Sequence, residues 1–403
     1  LRSSVYRAIV FGLFVFLVQI PLLASTYSIA PLTRAPHMDG NVLLDPSWQG
    51  IQEIGAFTQH TPRYNQKMSA KTIVKLGYDA EALYIGVVCD ASPNTIQLVQ
   101  GKPDTDLLGH DYIKLILDPY HDQQHAIYFA TTPTGIKVDG QIAQNGDLVD
   151  PHWNGAWDVV TTYNETRWQA EIRIPWEILQ YPQISDQTWG FNIERHISDA
   201  SETGYWALVD LQDNVYRVSK AGRITQLRPA FKPAIMGTPY GLMTVNNTPS
   251  KRDVRIKPGG DIRYLIQPNM IFDFTANTDF SHIVFDDQKM NLEGYSLYYD
   301  EKRPFFLSHA NLFSVGEYGV KLFHSRRIGL DGNGTEIPIN GGARFFADIN
   351  SVKFAAMQLN TGAVDTLSDS QQYQVARVQK KFEEGSTMGF LLTHRTGANH
   401  RYT

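Results

Sequence analysis

After residue 30 no apolar run in this chain is longer than a strand, and nearly every one is bracketed by Gly, Pro, Asn or Asp. That pattern predicts an all-β protein, because a helix needs apolar residues three and four apart over many positions whereas a strand needs only a short β-branched or aromatic run. The runs KTIVKLGYD, ALYIGVVCD, HDYIKLILD, HAIYFATT, IKVDGQIA, AWDVVTTY, RWQAEIRI and TWGFNIERHI follow one another between residues 71 and 197. Closely spaced short strands of this kind predict a β-sandwich, jelly-roll-like in form. In GFNIERHI the residues Phe191, Ile193 and Ile197 share one face, while Asn192, Glu194 and His196 share the other, which reads as core on one side and polar surface on the other. Helix signals are short. In DPSWQGIQEI, Asp45 can cap, Pro46 fits the first turn, and Trp48 and Ile51 fall on one face; PWEIL at 175–179 makes one turn at most.

The amino-terminal residues have a different character. Arg2 and Arg7 precede an apolar run over residues 8–23, which closes on the small residues Ala24 and Ser25. This layout predicts a secretory signal peptide over residues 1–25. The competing reading is a membrane anchor, but the run contains Gln19 and Pro21 and is shorter than the roughly 20 residues a spanning helix needs. If a membrane is crossed further on, only strands can cross it. With 36 basic and 41 acidic residues, the chain has no excess positive charge for nucleic acid. Cys89 is the single cysteine, so no internal disulfide or cysteine-based zinc site can form, and it reads as a small core residue. Residue 1 is Leu and the chain closes on HRYT, so the expectation is a fragment.

The sandwich is placed at residues 31–228 and a linker, rich in Pro, Gly and Asn, at 229–250. Beyond it, DIRYLIQ and MIFDFTAN flank Pro268 and Asn269 as a hairpin with one apolar face, Ile262, Tyr264 and Ile266 against Met270, Phe272, Phe274 and Ala276. ARFFADI, VKFAAMQLN, YQVARVQKKF and TMGFLLTHR follow at strand length. Successive hairpins behind a secretory signal predict that residues 251–403 are the beginning of an antiparallel outer-membrane-type β-barrel, truncated here. A soluble β domain is the alternative.

The segments MDGNVLLDPSWQ, LGYDAEALYIGVVCDAS, DYIKLILDPYHD, RWQAEIRIPWEIL and WGFNIERHI resemble, in order, the family 9 carbohydrate-binding-like domain, a β-sandwich. PGGDIRYLIQPNMIFDFTANTDFSHIVFDD, YYDEKRPFFLSHANLF and LFHSRRIG resemble the uncharacterised β-barrel domain that follows such modules in predicted Gram-negative outer-membrane proteins. The resemblance implies a protein secreted across the inner membrane and held at the outer membrane, with its sandwich periplasmic or surface-exposed. It would act in polysaccharide capture or carbohydrate catabolism on a polysaccharide or oligosaccharide ligand. Glycoside hydrolysis, and a structural or transport barrel with a vestigial sandwich, are the alternatives.

A saccharide site needs flat aromatic faces and a few fixed polar groups. All seven tryptophans precede the linker; Trp48, Trp168, Trp176 and Trp189 lie in apolar periodic segments and read as core. Trp153 and Trp157, in the Gly- and Asp-rich NGDLVDPHWNGAWD, are open between platform and loop packing. Family 9 sugar binders clamp a terminal sugar between two tryptophans, and this chain departs from that pattern. If Asp111 is the family's strand-opening aspartate, Leu108 replaces the first tryptophan, Tyr216 answers to the second and Lys114 replaces a glutamate. Either the site has moved, with Tyr205, Trp206, Tyr216, Trp153, Trp157 and Asp111 as the candidate carbohydrate-binding residues, or this sandwich no longer binds sugar. Calcium is a further family expectation, for which Asp104 and Asp106, or Asp147 and Asp150, have usable spacing, and DGNGTE at 331–336 superficially resembles a calcium loop but reads as a turn. No GxSxG, HExxH, P-loop or dinucleotide fingerprint is present, so no catalytic residue is assigned. His121 and His125 read as loop residues, and Glu171 and Arg173 as a surface pair. EKRPFF and HSRRIG read as a packed plug or a strand connection.

Overall fold

The computed structural model describes residues 25–98, 100–151, 153–248, 251–278, 301, 303–307, 310–313, 322–330, 337–349, 352–363, 369–382 and 386–397. The signal-peptide expectation therefore falls, apart from Ser25, outside the described residues, as does the turn at 331–336. The described chain is built of mainly antiparallel sheets, with Thr26–Ser28 and Ala30–Pro31 added in parallel; its only α-helical turns are Pro304–Leu307 and Ala310–Phe313. Among the described residues no helix is long and apolar enough to cross a membrane.

The eight sequence-read strands of the first half all form. A ten-stranded sheet runs in the order Leu148–Asp150, Lys137–Ala143, Ala126–Thr131, Tyr112–Asp118, Gln187–Ile197, Glu202–Tyr205, Thr58–Thr61 and Gln66–Lys67, with Gly222–Leu227 and Thr26–Ser28 attached beside Gln187–Ile197. A six-stranded sheet runs Asp158–Asn164, Arg167–Pro175, Ala82–Asp90, Thr72–Tyr78 and Ala30–Pro31, with Glu53–Ile54 on Thr72–Tyr78. Alternate side chains of both sheets meet in one core: Ile113, Leu115, Leu117, Phe129, Phe191 and Ile193 from the first, and Leu76, Ile85, Val87, Cys89, Trp168 and Ile172 from the second. This is the packing a two-layer sandwich requires. Trp48, Trp168, Trp176 and Trp189 are all buried, as their positions predicted. Asp45 caps the single turn Pro46–Trp48 by accepting from Ser47 N at 2.7 Å, and the second turn is confined to Trp176–Ile178.

Two readings of polar residues change. Asn192 and Glu194 do not face water, because residues 205–221 fold back over that side of the sheet and bury Ile116, Tyr128, Ile142, Val209, Val215 and Val218 against it. Asn192 there donates to Ala207 O and accepts from Ala207 N, both at 2.9 Å. Glu171 is not a surface partner of Arg173 either. It is fully buried and accepts from Asp39 N, Gly40 N and Trp48 Nε1 at 3.0, 2.9 and 2.8 Å, while Arg173 pairs with Asp158 and Glu81.

The segment read as a linker contains a strand. Ala234–Thr248 pairs along its whole length with Lys251–Gln267 and opens a seven-stranded sheet, continued by Met270–Ala276, Ile339–Ile349, Val352–Thr361, Gln371–Lys381 and Thr387–Gly397. Pro239 and Gly241 are accommodated because this is an outer strand, where a missing backbone donor breaks no second ladder. Among the described strands the sheet is open, with no pairing between its first and last members.

Register gives the sheet two unlike faces. One row of Cα partners runs Ile235, Tyr264, Phe272, Phe345, Ala356, Ala376 and Leu392 across all seven strands. The row beside it runs Met236, Arg263, Asp273, Arg344, Met357, Val375 and Thr393. The first face is exposed: Ile235 by 73%, Phe274 by 45%, Phe390 by 67% and Leu392 by 54%. The second is covered by Phe305, Phe306, Leu312, Phe313 and Ile328. EKRPFF and HSRRIG meet here. Arg303, fully buried, donates to both Glu301 oxygens at 2.8 Å and to the carbonyls of Ser325 and Ile328, so the two motifs close a packed plug on that face.

Candidate functional site

The sandwich and the covered face of the seven-stranded sheet enclose a cavity of about 830 Å³. Its sandwich wall carries Asp104, Asp150, Trp153, Asn154, Glu177 and Gln180, and its sheet wall Asp261, Arg263, Asp273, Arg344, Asp348 and Lys353. The two bodies also meet beside it, where Lys381 Nζ donates to Asp122 O at 3.0 Å and Lys353 Nζ lies 5.9 Å from the Tyr120 ring centroid.

Trp153 and Tyr120 are aromatic residues of the cavity's sandwich wall, and Trp153 is its one tryptophan among the described residues. The Trp153 ring is half-buried, edge-on to Phe129 at 5.9 Å, and a Cβ at Gly155 would come within 2.6 Å of it, so the ring lies flat against the chain only because residue 155 is glycine. On the opposite wall Asp273 holds Arg263 at 2.7 Å and Arg344 closer still, the second pair fully out of water. Lys353 is 3.9 Å from Asp348. Two polar atoms of the lining residues, Tyr120 Oη and Asp261 Oδ1, are buried without a hydrogen-bond partner. Groups of that kind mark a place for a ligand or water.

The other sequence-read candidates are dispersed. Trp157 is not a platform: it is 1% exposed, 5.4 Å from Phe129, with its indole N–H on Asp139. Burial pushes the Asp139 carboxyl up to about 6 despite that donor. Tyr205 is buried, tilted against His60 at 5.1 Å. Trp206 packs on Phe191 at 5.7 Å. Asp111 is 2% exposed and committed to Gln97 N at 2.7 Å and Arg195 at 3.4 Å, whose guanidinium lies over Trp168. Tyr216 is half-buried, edge-on to Tyr128, and its ring faces Lys114 Nζ at 4.8 Å.

Around Lys114 the structure has a buried ion pair. Lys114 Nζ is 3.1 Å from Glu194 Oε1, which also accepts from the Tyr112 hydroxyl at 2.5 Å, and Leu108, 83% exposed, stands alone at the rim. Lys114, Glu194 and Tyr112 form a closed polar knot. Calcium finds no better support: among the described residues no three or more His, Cys, Asp or Glu are grouped to hold a metal ion. Asp106 instead accepts from Leu108 N, and exposed Asp104 lines the cavity. His125 is tied to Asp122 at 2.7 Å.

Sequence reasoning missed Asp261, Arg263 and Arg344. The signal was present, since Asp261 and Arg263 alternate with the apolar face of the hairpin and Arg344 precedes Phe345 in the next strand, Ile339–Ile349. Nothing local says that the polar positions, rather than the apolar ones, turn toward the protein.

The model of a domain of unknown function, DUF5916, matches residues 235–353, from the first strand of the seven-stranded sheet to the start of its fifth. No curated protein matches the chain. Among solved structures, the chain is similar to a family 9 carbohydrate-binding module from Caldicellulosiruptor kristjanssonii in complex with cellotriose, at 17% identity over 50% of this chain and 93% of that one, TM-score 0.38. The same organism's module in complex with glucose matches at 16% over 50% and 95%, TM-score 0.38. A protein from Bacteroides uniformis ATCC 8492 matches at 11% over 50% and 99%, TM-score 0.42.

Proposed function

We propose that the protein captures carbohydrate at the outer membrane, with the sandwich as binding module and the seven-stranded sheet as the first part of a membrane-embedded barrel. The observation that carries the reading is the two-sidedness of that sheet. Its open face is an unbroken row of apolar side chains, far larger than the isolated exposed apolar residues of ordinary soluble surfaces. Its other face is mixed where it walls the cavity, setting Asp261, Arg263, Asp273 and Arg344 among Met236, Leu265, Ile271 and Phe346, so the charged side chains of these strands turn inward, as they do in a strand that spans lipid. Secretion through residues 1–25 would deliver such a chain, leaving the sandwich periplasmic or surface-exposed.

The carbohydrate half of the proposal is supported by the chemistry of the cavity. Trp153 supplies a flat apolar face, and Asp150, Asn154, Glu177 and Gln180 beside it supply acceptors and donors for hydroxyls. The resemblance of residues 31–228 to family 9 modules agrees with that use, although the site has moved from the clamp position to the junction with the sheet.

Two measurements on the full chain in detergent test the halves separately. Cello-oligosaccharides or xylan oligosaccharides should bind measurably in calorimetry, and Trp153→Ala should weaken binding about fivefold, the worth of about 1 kcal/mol of ring contact. Absence of binding at millimolar ligand removes the carbohydrate half. Heat-modifiable migration of an outer-membrane fraction is expected for the barrel; complete solubility without detergent removes the membrane half.

A further inference from the structure

We propose that the junction cavity selects saccharides bearing protonated amines, amino-sugar oligomers, over neutral ones, and disfavours uronates and sulfated sugars. The inference rests on the carbohydrate reading above and adds the charge class of the ligand. Among the described lining residues six carboxylates stand against three cationic side chains, each of which lies within ion-pair distance of a carboxylate. Arg263 and Arg344 share Asp273, and Lys353 leans on Asp348. The sandwich wall adds Asp104 and Glu177, both exposed, with no Lys or Arg among its described lining residues.

Geometry gives the excess negative charge a point of action. Thr275 and Tyr240 hydrogen-bond the Asp261 carboxylate, but its Oδ1, on the sheet wall of the cavity that Trp153 also lines, is buried without a partner, so a donor arriving with the ligand would satisfy it. A protonated amine does so as a charge-assisted hydrogen bond, stronger than one from a neutral hydroxyl. A uronate carboxylate brought to the same place would instead face like charge in a partly desolvated pocket, which is costly. The Tyr120 hydroxyl, also buried and unpartnered, can serve a neutral hydroxyl of the same sugar. Trp153 would carry the ring, so the saccharide and charge requirements fall on different residues and can be separated.

The test is calorimetry on the full chain in non-ionic detergent and slightly acidic buffer, with glucosamine, N-acetylglucosamine and galacturonate oligomers of one length, and spermidine as a cation that is not a sugar. Glucosamine oligomers should bind tightest and galacturonate oligomers weakest, at least roughly tenfold apart, with the gap narrowing in high salt. Asp261→Asn, and Glu177→Gln at an exposed position where folding is not at stake, should each bring glucosamine affinity toward that of the acetylated oligomer. Galacturonate binding as tightly as glucosamine, equal affinity for all three oligomers, or spermidine matching glucosamine overturns the charge inference. Failure of every oligomer to bind while the protein is folded overturns the carbohydrate reading itself.

Discussion

Replacing Lys114 by methionine exposes the energetics of the buried Lys114–Glu194–Tyr112 knot. Its ammonium is 3.1 Å from Glu194 Oε1, with the two side chains only 11% and 6% exposed, and it lies 5.0 and 4.8 Å from the ring centroids of Tyr112 and Tyr216. Burial works against its charge, but Glu194 beside it holds the ammonium well above the ordinary lysine value. Lys114→Met therefore leaves a buried carboxylate with only neutral donors, the hydroxyls of Tyr112 and Tyr205. Breaking a buried pair on one side costs about 3–5 kcal/mol, and the two tyrosines place this case near the lower end, at about 3 kcal/mol. Glu194→Gln keeps an acceptor for Tyr112 and leaves the ammonium on two aromatic faces, so its loss should be smaller, about 2 kcal/mol. Lys114→Met combined with Glu194→Leu removes both charges and should lie within about 1–2 kcal/mol of the parent. Because all seven tryptophans fall between residues 48 and 206, intrinsic fluorescence reports unfolding of the sandwich alone. At about 2–4 °C per kcal/mol, Lys114→Met should lower Tm by about 6–12 °C. A single-variant loss below about 1 kcal/mol, or a double variant whose loss equals the sum of the singles, refutes the buried-pair account.

Three further outcomes are expected. Leu392→Arg places a charge in the open apolar row and should cost about 2–4 kcal/mol of folding in liposomes, read as lost heat-modifiable band; no difference from the parent in lipid would contradict a lipid-facing row. Glu171→Ala strands the donors of Asp39, Gly40 and Trp48, each worth about 1–3 kcal/mol when left buried and unpaired, and should destabilise the sandwich by about 3–5 kcal/mol in urea unfolding, with earlier proteolysis around residues 38–51. Stability of the sandwich should fall as pH rises from about 4 to about 7. Burial, joined at Asp118 by the charge of Asp122, raises Asp118 to about 7, and burial raises Asp139 to about 6, from 3.8 in both cases. Between those values the unfolded chain is ionised while the folded one keeps its protons, so the folded state alone gives up stability, about 2–4 kcal/mol for the pair after allowing for solvent screening at Asp139. The urea midpoint followed across that window should decline, and Asp139→Asn should flatten part of the decline; a rising midpoint would be inconsistent with both assignments.

The amino-acid sequence by itself determined where the strands lie, which tryptophans are core, and which side chains share a face. These are local properties, set by a period of two and by β-branched and aromatic content, and a run such as ALYIGVVCD carries them without knowing its neighbours. Only the tertiary structure decided which face is inside. The apolar face of the Ile262 and Phe274 hairpin would be core in a soluble sheet, yet it is open, because Phe305, Phe306, Leu312 and Phe313 return to cover the polar side. The strand Ala234–Thr248 was hidden for a related reason, since its Gly and Pro are tolerable only at a sheet edge. The candidate site was the least legible part. Glu171 is buried by residues more than 120 positions away, Asp111 is claimed by Arg195 at a separation of 84, and Trp153 shares a cavity with Asp261 and Arg263 only where two separate sheets come together. A polar side chain's role depends on who shares its desolvated space, and that is a property of long-range packing, which no local pattern records.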